Sequence, residues 1–135
     1  MLQDGGDLYE GMLYAMNNRY GWGYTNAVDM YKLWDEFIIE ASQMFGYWHS
    51  KYPITTDNKN VLTTVYKKGE SALLCVYNFS NKKEHFNFLT NRELLGFEPC
   101  DIRKIKLGSN IKKHADITKS KQLGGHKGAI YWLKA

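Results

Sequence analysis

Residues 61–80, VLTTVYKKGESALLCVYNFS, decide the fold, because both strands and the turn between them can be read there from local chemistry. Val61–Tyr66 and Ala72–Phe79 are rich in β-branched and aromatic residues. Lys67-Lys68-Gly69-Glu70 between them is polar, with a glycine where a positive φ costs least. The segment therefore predicts a β-hairpin. Its second strand carries Ala72, Leu74 and Val76 on one face and Leu73, Cys75, Tyr77 and Phe79 on the other, so both faces require cover and the strand belongs in the middle of a sheet.

The chain after the hairpin supplies neighbours. Glu84–Leu89 alternates Phe86 and Phe88 with His85 and Asn87, as a half-exposed strand does. Asn91–Gly96 predicts one short helical turn and Glu98-Pro99 a stop. Asp101–Leu107 predicts a strand with Ile105 and Leu107 inward and Lys104 and Lys106 outward. A weak strand is expected around Ala115–Ile117. Gly124–Gly128 predicts a turn, and Ala129–Leu133 a last strand with Ile130 and Trp132 opposite Ala129, Tyr131 and Leu133. About six short strands at this spacing imply an antiparallel sandwich.

The chain before the hairpin reads as helical. Asp7-Leu8-Tyr9-Glu10 has the spacing of a capping box, and the helix it opens, to about Arg19, is apolar nearly all round between Leu8 and Met16. A chain of 135 residues has little room to bury such a helix, which points to a larger protein. Asn17–Tyr24, with Gly21 and Gly23 among aromatics, breaks it. Thr25-Asn26 then caps a second helix, whose Met30, Leu33, Trp34, Phe37, Ile38, Ala41, Met44 and Phe45 recur at spacings of three and four up to Gly46. The polar connector Ile54–Asn60 marks the passage to the β part. The expected architecture is α+β: a helical segment over residues 1–53 and an antiparallel β-sandwich domain over 54–135.

Composition excludes several functions. The net charge of +4 comes mostly from Arg103, Lys104, Lys106, Lys112, Lys113, Lys119, Lys121 and Lys127, but the apolar residues between them alternate into a sheet instead of forming an exposed aromatic surface. No nucleic-acid partner is expected. No apolar run reaches 18 residues, so no membrane span is expected, and Met1–Asp7 has neither the basic start nor the apolar stretch of an export signal. Cys75 lies inside an apolar strand and Cys100 beside Pro99, a pattern of free thiols. His49, His85, His114 and His126 are isolated in sequence, so neither metal nor cofactor is expected.

Among seven Asp and seven Glu, Asp35-Glu36 is the pair that glycoside chemistry would need, if their environments pushed the two pKa values apart. Both fall on the polar side of the second helix, where a solvated face is the better reading. No serine has a nucleophile-elbow context, and Gly124–Gly128 is followed by a strand instead of the helix a phosphate cradle requires. No catalytic residue is assigned, and no substrate-binding residue is read from this chain.

The run Asp7–Gly23, with Leu33-Trp34-Asp35 and Gly46-Tyr47-Trp48, resembles the end of the catalytic region of large bacterial glycoside hydrolase-like proteins of the β-N-acetylgalactosaminidase-like group, many of them domains of unknown function. Val61–Tyr66, Glu93–Phe97 and Lys127–Leu133 are similar to that group's C-terminal β domain. The resemblance implies that Leu8–Trp48 holds the last helices of a (β/α)8 barrel, the remainder of which would pack on them, with the sandwich beside it. It implies exported parent proteins that break down glycans by substrate-assisted hydrolysis, an Asp-Glu pair at a barrel strand end orienting the acetamido group and protonating the leaving group. Asp35-Glu36 is placed on a helix and does not match that pair, so this chain alone is expected to be inactive. Arg19, Tyr20 and Trp22 would lie at the far end of the first helix, joining it to the sandwich. The alternative is a stand-alone carbohydrate-binding or structural β-sandwich module.

Overall fold

The computed structural model describes Phe37 and residues 42–46, 53–106 and 111–135. Ten strands and one helix follow in order: β1 (Gln43–Phe45), β2 (Ile54–Thr56), β3 (Val61–Lys68), β4 (Ser71–Asn78), β5 (Glu84–Phe86), β6 (Phe88–Thr90), α1 (Arg92–Leu95), β7 (Asp101–Lys106), β8 (Ile111–His114), β9 (Lys121–Leu123) and β10 (Gly128–Lys134). A six-stranded sheet has the order β1-β3-β4-β10-β7-β8, and two two-stranded sheets pair β2 with β6 and β5 with β9. All pairings are antiparallel.

The hairpin forms as its sequence dictates. Val61 pairs with Asn78 and Lys68 with Ser71, leaving Gly69-Glu70 as a two-residue loop. Gly69 has φ 57°, the positive value that a II′-type hairpin turn needs at its first central position. β4 lies between β3 and β10, and its residues 72–78 are all buried.

Each face of the large sheet has its own apolar cluster. On the first face Val61, Val65, Ala72, Leu74, Val76, Ala129, Tyr131 and Leu133 meet Ile54, Phe86, Leu95, Phe97 and Ile117, which arrive from the small sheets, α1 and the loop before β9. The small sheets thus form a second layer over this face. Thr63, buried in the middle of β3, donates its hydroxyl to the Ile54 carbonyl at 2.8 Å and fixes β2 on it. On the opposite face Phe37, Tyr66, Leu73, Cys75, Ile105 and Ile130 cluster, with Met44 and Trp132 against them. Burial pushes the Cys75 thiol up, so it stays neutral and behaves as a small apolar side chain. Cys100 is exposed, and both cysteines are free.

The α+β expectation is overturned among the described residues, which are nearly all β: α1 is short, and of the expected helical segment only Phe37 is described as helical. Gln43–Phe45, read as the last turn of the second helix, is a strand on β3, with Met44 opposite Tyr66 and Phe45 opposite Val65. Met44 and Phe45 contribute to clusters on opposite faces, and adjacent apolar residues at a helix end fit that alternation equally well. The expected helix from Leu8 to Arg19, the Asn17–Tyr24 loop, Asp35-Glu36 and Tyr47–Tyr52 lie outside the described residues.

Three smaller corrections concern the β part. The described residues hold ten strands where about six were expected, because the covering layer is built of short pieces. Glu84–Leu89 is two strands, broken at Asn87, whose N–H and side-chain amide donate to the two Asp57 carboxylate oxygens at 2.8 Å each. Ala115–Ile117 is not a strand; β8 and β9 flank it, and Ile117 is a buried anchor of the connection. α1 agrees with its reading: the Asn91 side chain accepts from the Leu94 N–H, and Gly96 closes the helix.

Candidate functional site

A cleft of about 300 Å³ opens in the layer over the first face, where β6, the chain around α1, the start of β7 and the loop before β9 converge. Its apolar lining is Phe88, Pro99, Ile102 and Ile117, and its polar lining is Thr90, Arg92, Glu98 and Thr118. The apolar side is held from beneath. Ile117 is buried in the main cluster, and the Phe88 ring sits edge-on to Phe86 at 5.3 Å and to Tyr131 at 5.7 Å between ring centres.

Short-range order builds the polar side. α1 and its closing Gly96 reverse the chain so that Arg92 and Glu98 meet, one Nη nitrogen 3.1 Å from a carboxylate oxygen. Both side chains are largely exposed, 75% and 58%, so the pair adds little to stability. The Thr118 hydroxyl donates to an Asp116 carboxylate oxygen at 2.6 Å, and the Thr118 N–H donates to the same oxygen at 2.8 Å. Thr118 lines the cleft with its donor engaged, which leaves its hydroxyl oxygen an acceptor.

Among the described residues Asp57, Glu84 and Asp116 are the carboxylates with clearly shifted acidity. Asp57 is held low chiefly by the Asn87 side-chain amide and then its N–H, Glu84 chiefly by the Asn60 amide, and Asp116 chiefly by the Thr118 hydroxyl and then its N–H. The ionised form of each is favoured, so each is an acceptor fixing a turn, and among the described residues no carboxylate has its acidity driven the other way. Folded values below the unfolded ones contribute stability above the ordinary carboxylate range, about pH 4–5, and that stability is lost as pH falls through the depressed values. The melting-temperature gap between the parent chain and Asp57→Asn is therefore expected to narrow on acidification from neutral pH to about pH 3. A gap that stays constant across that range counts against the linkage.

Among the described residues no group of three or more His, Cys, Asp or Glu side chains is placed to hold a metal ion. His126 bonds Asn81 Oδ1 through Nε2 at 2.9 Å, and His114 Nδ1 lies 3.9 Å from an Asp101 oxygen. His85 lies on β5, and His49 is outside the described residues. No described helix is long and apolar enough to cross a membrane.

Asp35-Glu36 and Arg19, Tyr20 and Trp22 also lie outside the described residues. The cleft itself was missed in the sequence. Arg92 and Glu98 around an Asn-capped, Gly-closed turn form a local signal that could have been found; Thr118 arrives from a distant loop and could not.

Comparison with curated proteins finds no match. Among solved structures the chain is similar to a GH27 β-L-arabinopyranosidase from Geobacillus stearothermophilus, at 15% identity and a TM-score of 0.43, covering 58% of this chain and 18% of that one. It is also similar to a GH30 endoxylanase from Clostridium papyrosolvens C71, at 13% identity and a TM-score of 0.46, covering 95% of this chain and 36% of that one. The chain thus spans well under half the length of these structures, and the likenesses are too distant to carry an argument. The family model for the C-terminal domain of glycoside hydrolase 123 matches residues 26–128, most of the chain and every strand from β1 to β9. The chain belongs to the glycoside hydrolase 123 C-terminal domain family.

Proposed function

We propose that this chain is the accessory β domain of a glycan-degrading glycoside hydrolase, and that it contributes structure beside the catalytic region without supplying the catalytic pair. The family match over residues 26–128 carries the reading. The chemistry of the described residues is consistent with it. Two-carboxylate glycosidases need both carboxyl groups at the bond to be broken, with acidities set apart, and the substrate-assisted route that the resemblance implies likewise uses an Asp-Glu pair. The cleft is lined by a single carboxylate, Glu98, which is ion-paired to Arg92. On this reading the rest of the protein packs beside the segment that precedes the large sheet, whose Phe37 is already seated on the second face.

The full 135-residue chain is accordingly expected to leave aryl N-acetylhexosaminides intact in a sensitive chromogenic assay. Turnover abolished by Asp35→Asn or Glu36→Gln would overturn the reading, since the catalytic pair would then lie within this chain.

A further inference from the structure

The geometry points to the cleft between β6, α1 and the loop before β9 as a binding site for a single pyranose ring. A pyranose presents two surfaces: a face of C–H groups that is apolar, and a rim of hydroxyls that each donate and accept. The cleft has the complement of both. Phe88, Ile102 and Ile117 supply apolar surface, and Arg92, Glu98 and Thr118 surround it.

The polar groups are complementary in kind as well as in place. Arg92 is donor only, ionised Glu98 is acceptor only, and Thr118 has its proton committed to Asp116 and so accepts. A donor and an acceptor held side by side are what two neighbouring hydroxyls require, because one can accept from Arg92 while the next donates to Glu98. Charge-assisted hydrogen bonds of this kind are the stronger class. An ordinary apolar solute would use only the lining, and a phosphate or carboxylate ligand would meet Glu98 with like charge.

Size and preorganisation agree. A volume of about 300 Å³ lies at the lower end of small-molecule sites, room for one ring and not for an extended chain. Phe88 is held by its edge contacts with Phe86 and Tyr131, Thr118 by Asp116, and the Arg92 backbone by a capped helical turn, so the ordering left for the ligand to impose is that of the exposed Arg92 and Glu98 side chains. The choice of a sugar over other neutral polyols rests on the proposed accessory role, whereas the donor–acceptor arrangement does not.

The test uses the full 135-residue chain and methyl glycosides of common hexoses and N-acetylhexosamines, titrated by NMR with chemical shifts followed for Phe88, Arg92, Ile117 and Thr118. Saturable shifts at these residues with a Kd in the millimolar range are expected for at least one glycoside. Arg92→Ala and Glu98→Ala should each weaken binding about tenfold or more, the loss expected for a charged hydrogen bond. Both residues are exposed, so both variants should remain folded, and Lys59→Ala, outside the cleft lining, should bind as the parent does. Shifts for no glycoside, shifts elsewhere on the surface, or binding indifferent to both variants would each overturn the inference. Those outcomes leave the accessory-domain reading standing, whereas turnover by the isolated chain overturns that reading without touching the cleft.

Discussion

Asn78→Ala is expected to destabilise the chain by about 3 kcal/mol or more, several times the cost of removing an exposed asparagine from the same domain. Asn78 ends β4 with no exposed surface. Its Nδ2 donates to the carbonyls of Lys82, Leu123 and Gly124 at 2.9, 3.0 and 3.2 Å, and its Oδ1 accepts from the Ser80 N–H at 2.8 Å. Its own N–H donates to the Lys127 carbonyl at 2.9 Å. One side chain therefore holds the turn after β4 and the turn before β10 together. The turns have little slack, since a Cβ on Gly125 would come within 2.5 Å of the Asn81 backbone. Alanine removes these four part-buried side-chain bonds at once, each worth about 0.5–1.5 kcal/mol. Asn91→Ala, which removes an exposed helix cap, should cost about 1 kcal/mol. Chemical denaturation of both variants decides the matter. Equal losses would mean that water replaces Asn78 and that the two turns are independent.

The hairpin and its surroundings were legible because two local signals agree there. Gly69 fits the turn, and the apolar content of Ala72–Asn78 on both faces places β4 inside the sheet. β10 was legible for the same reason, its alternation dividing Tyr131 and Leu133 from Ile130 and Trp132 between the two clusters. The covering layer was not. β2, β5, β6 and β9 have three residues each, too few for periodicity to speak. Their positions are set by long-range side-chain bonds such as Asp57 to Asn87 and Asn60 to Glu84, between residues that look like generic turn formers in sequence. The cleft depends on that layer, so only its local half, Arg92 and Glu98, left a trace in the sequence. β1 failed differently: Met44 and Phe45 end a run at helical spacing, and the open edge of β3 claims them through backbone pairing that no side-chain pattern encodes.

Phe37→Ala should produce the other large loss, about 3–5 kcal/mol, the range for emptying an aromatic site in a packed core. The Phe37 spacing within the run from Met30 to Phe45 marked it as core-facing, and the structure buries it completely. Its ring meets Trp132 edge-on at 5.5 Å, with Lys68 Nζ 5.0 Å from its centre, and Lys68 also donates to the Phe37 carbonyl. Neither described small sheet covers this face of β3, β4 and β10; among the described residues its cluster gains Phe37, from the segment before the strands, together with Met44. Removing the ring opens a space beside Cys75, Leu73 and Ile130. Two readouts should therefore change together. Denaturation should show the stability loss, and the Cys75 thiol, buried in the parent, should react faster with a thiol reagent while the exposed Cys100 reacts alike in both. Phe37→Leu, which keeps most of the volume, should recover most of both effects. If Phe37→Ala lost under about 1 kcal/mol and left Cys75 protected, the second face would not depend on the preceding segment. The proposed coupling of this domain to the rest of a glycoside hydrolase would then need another route.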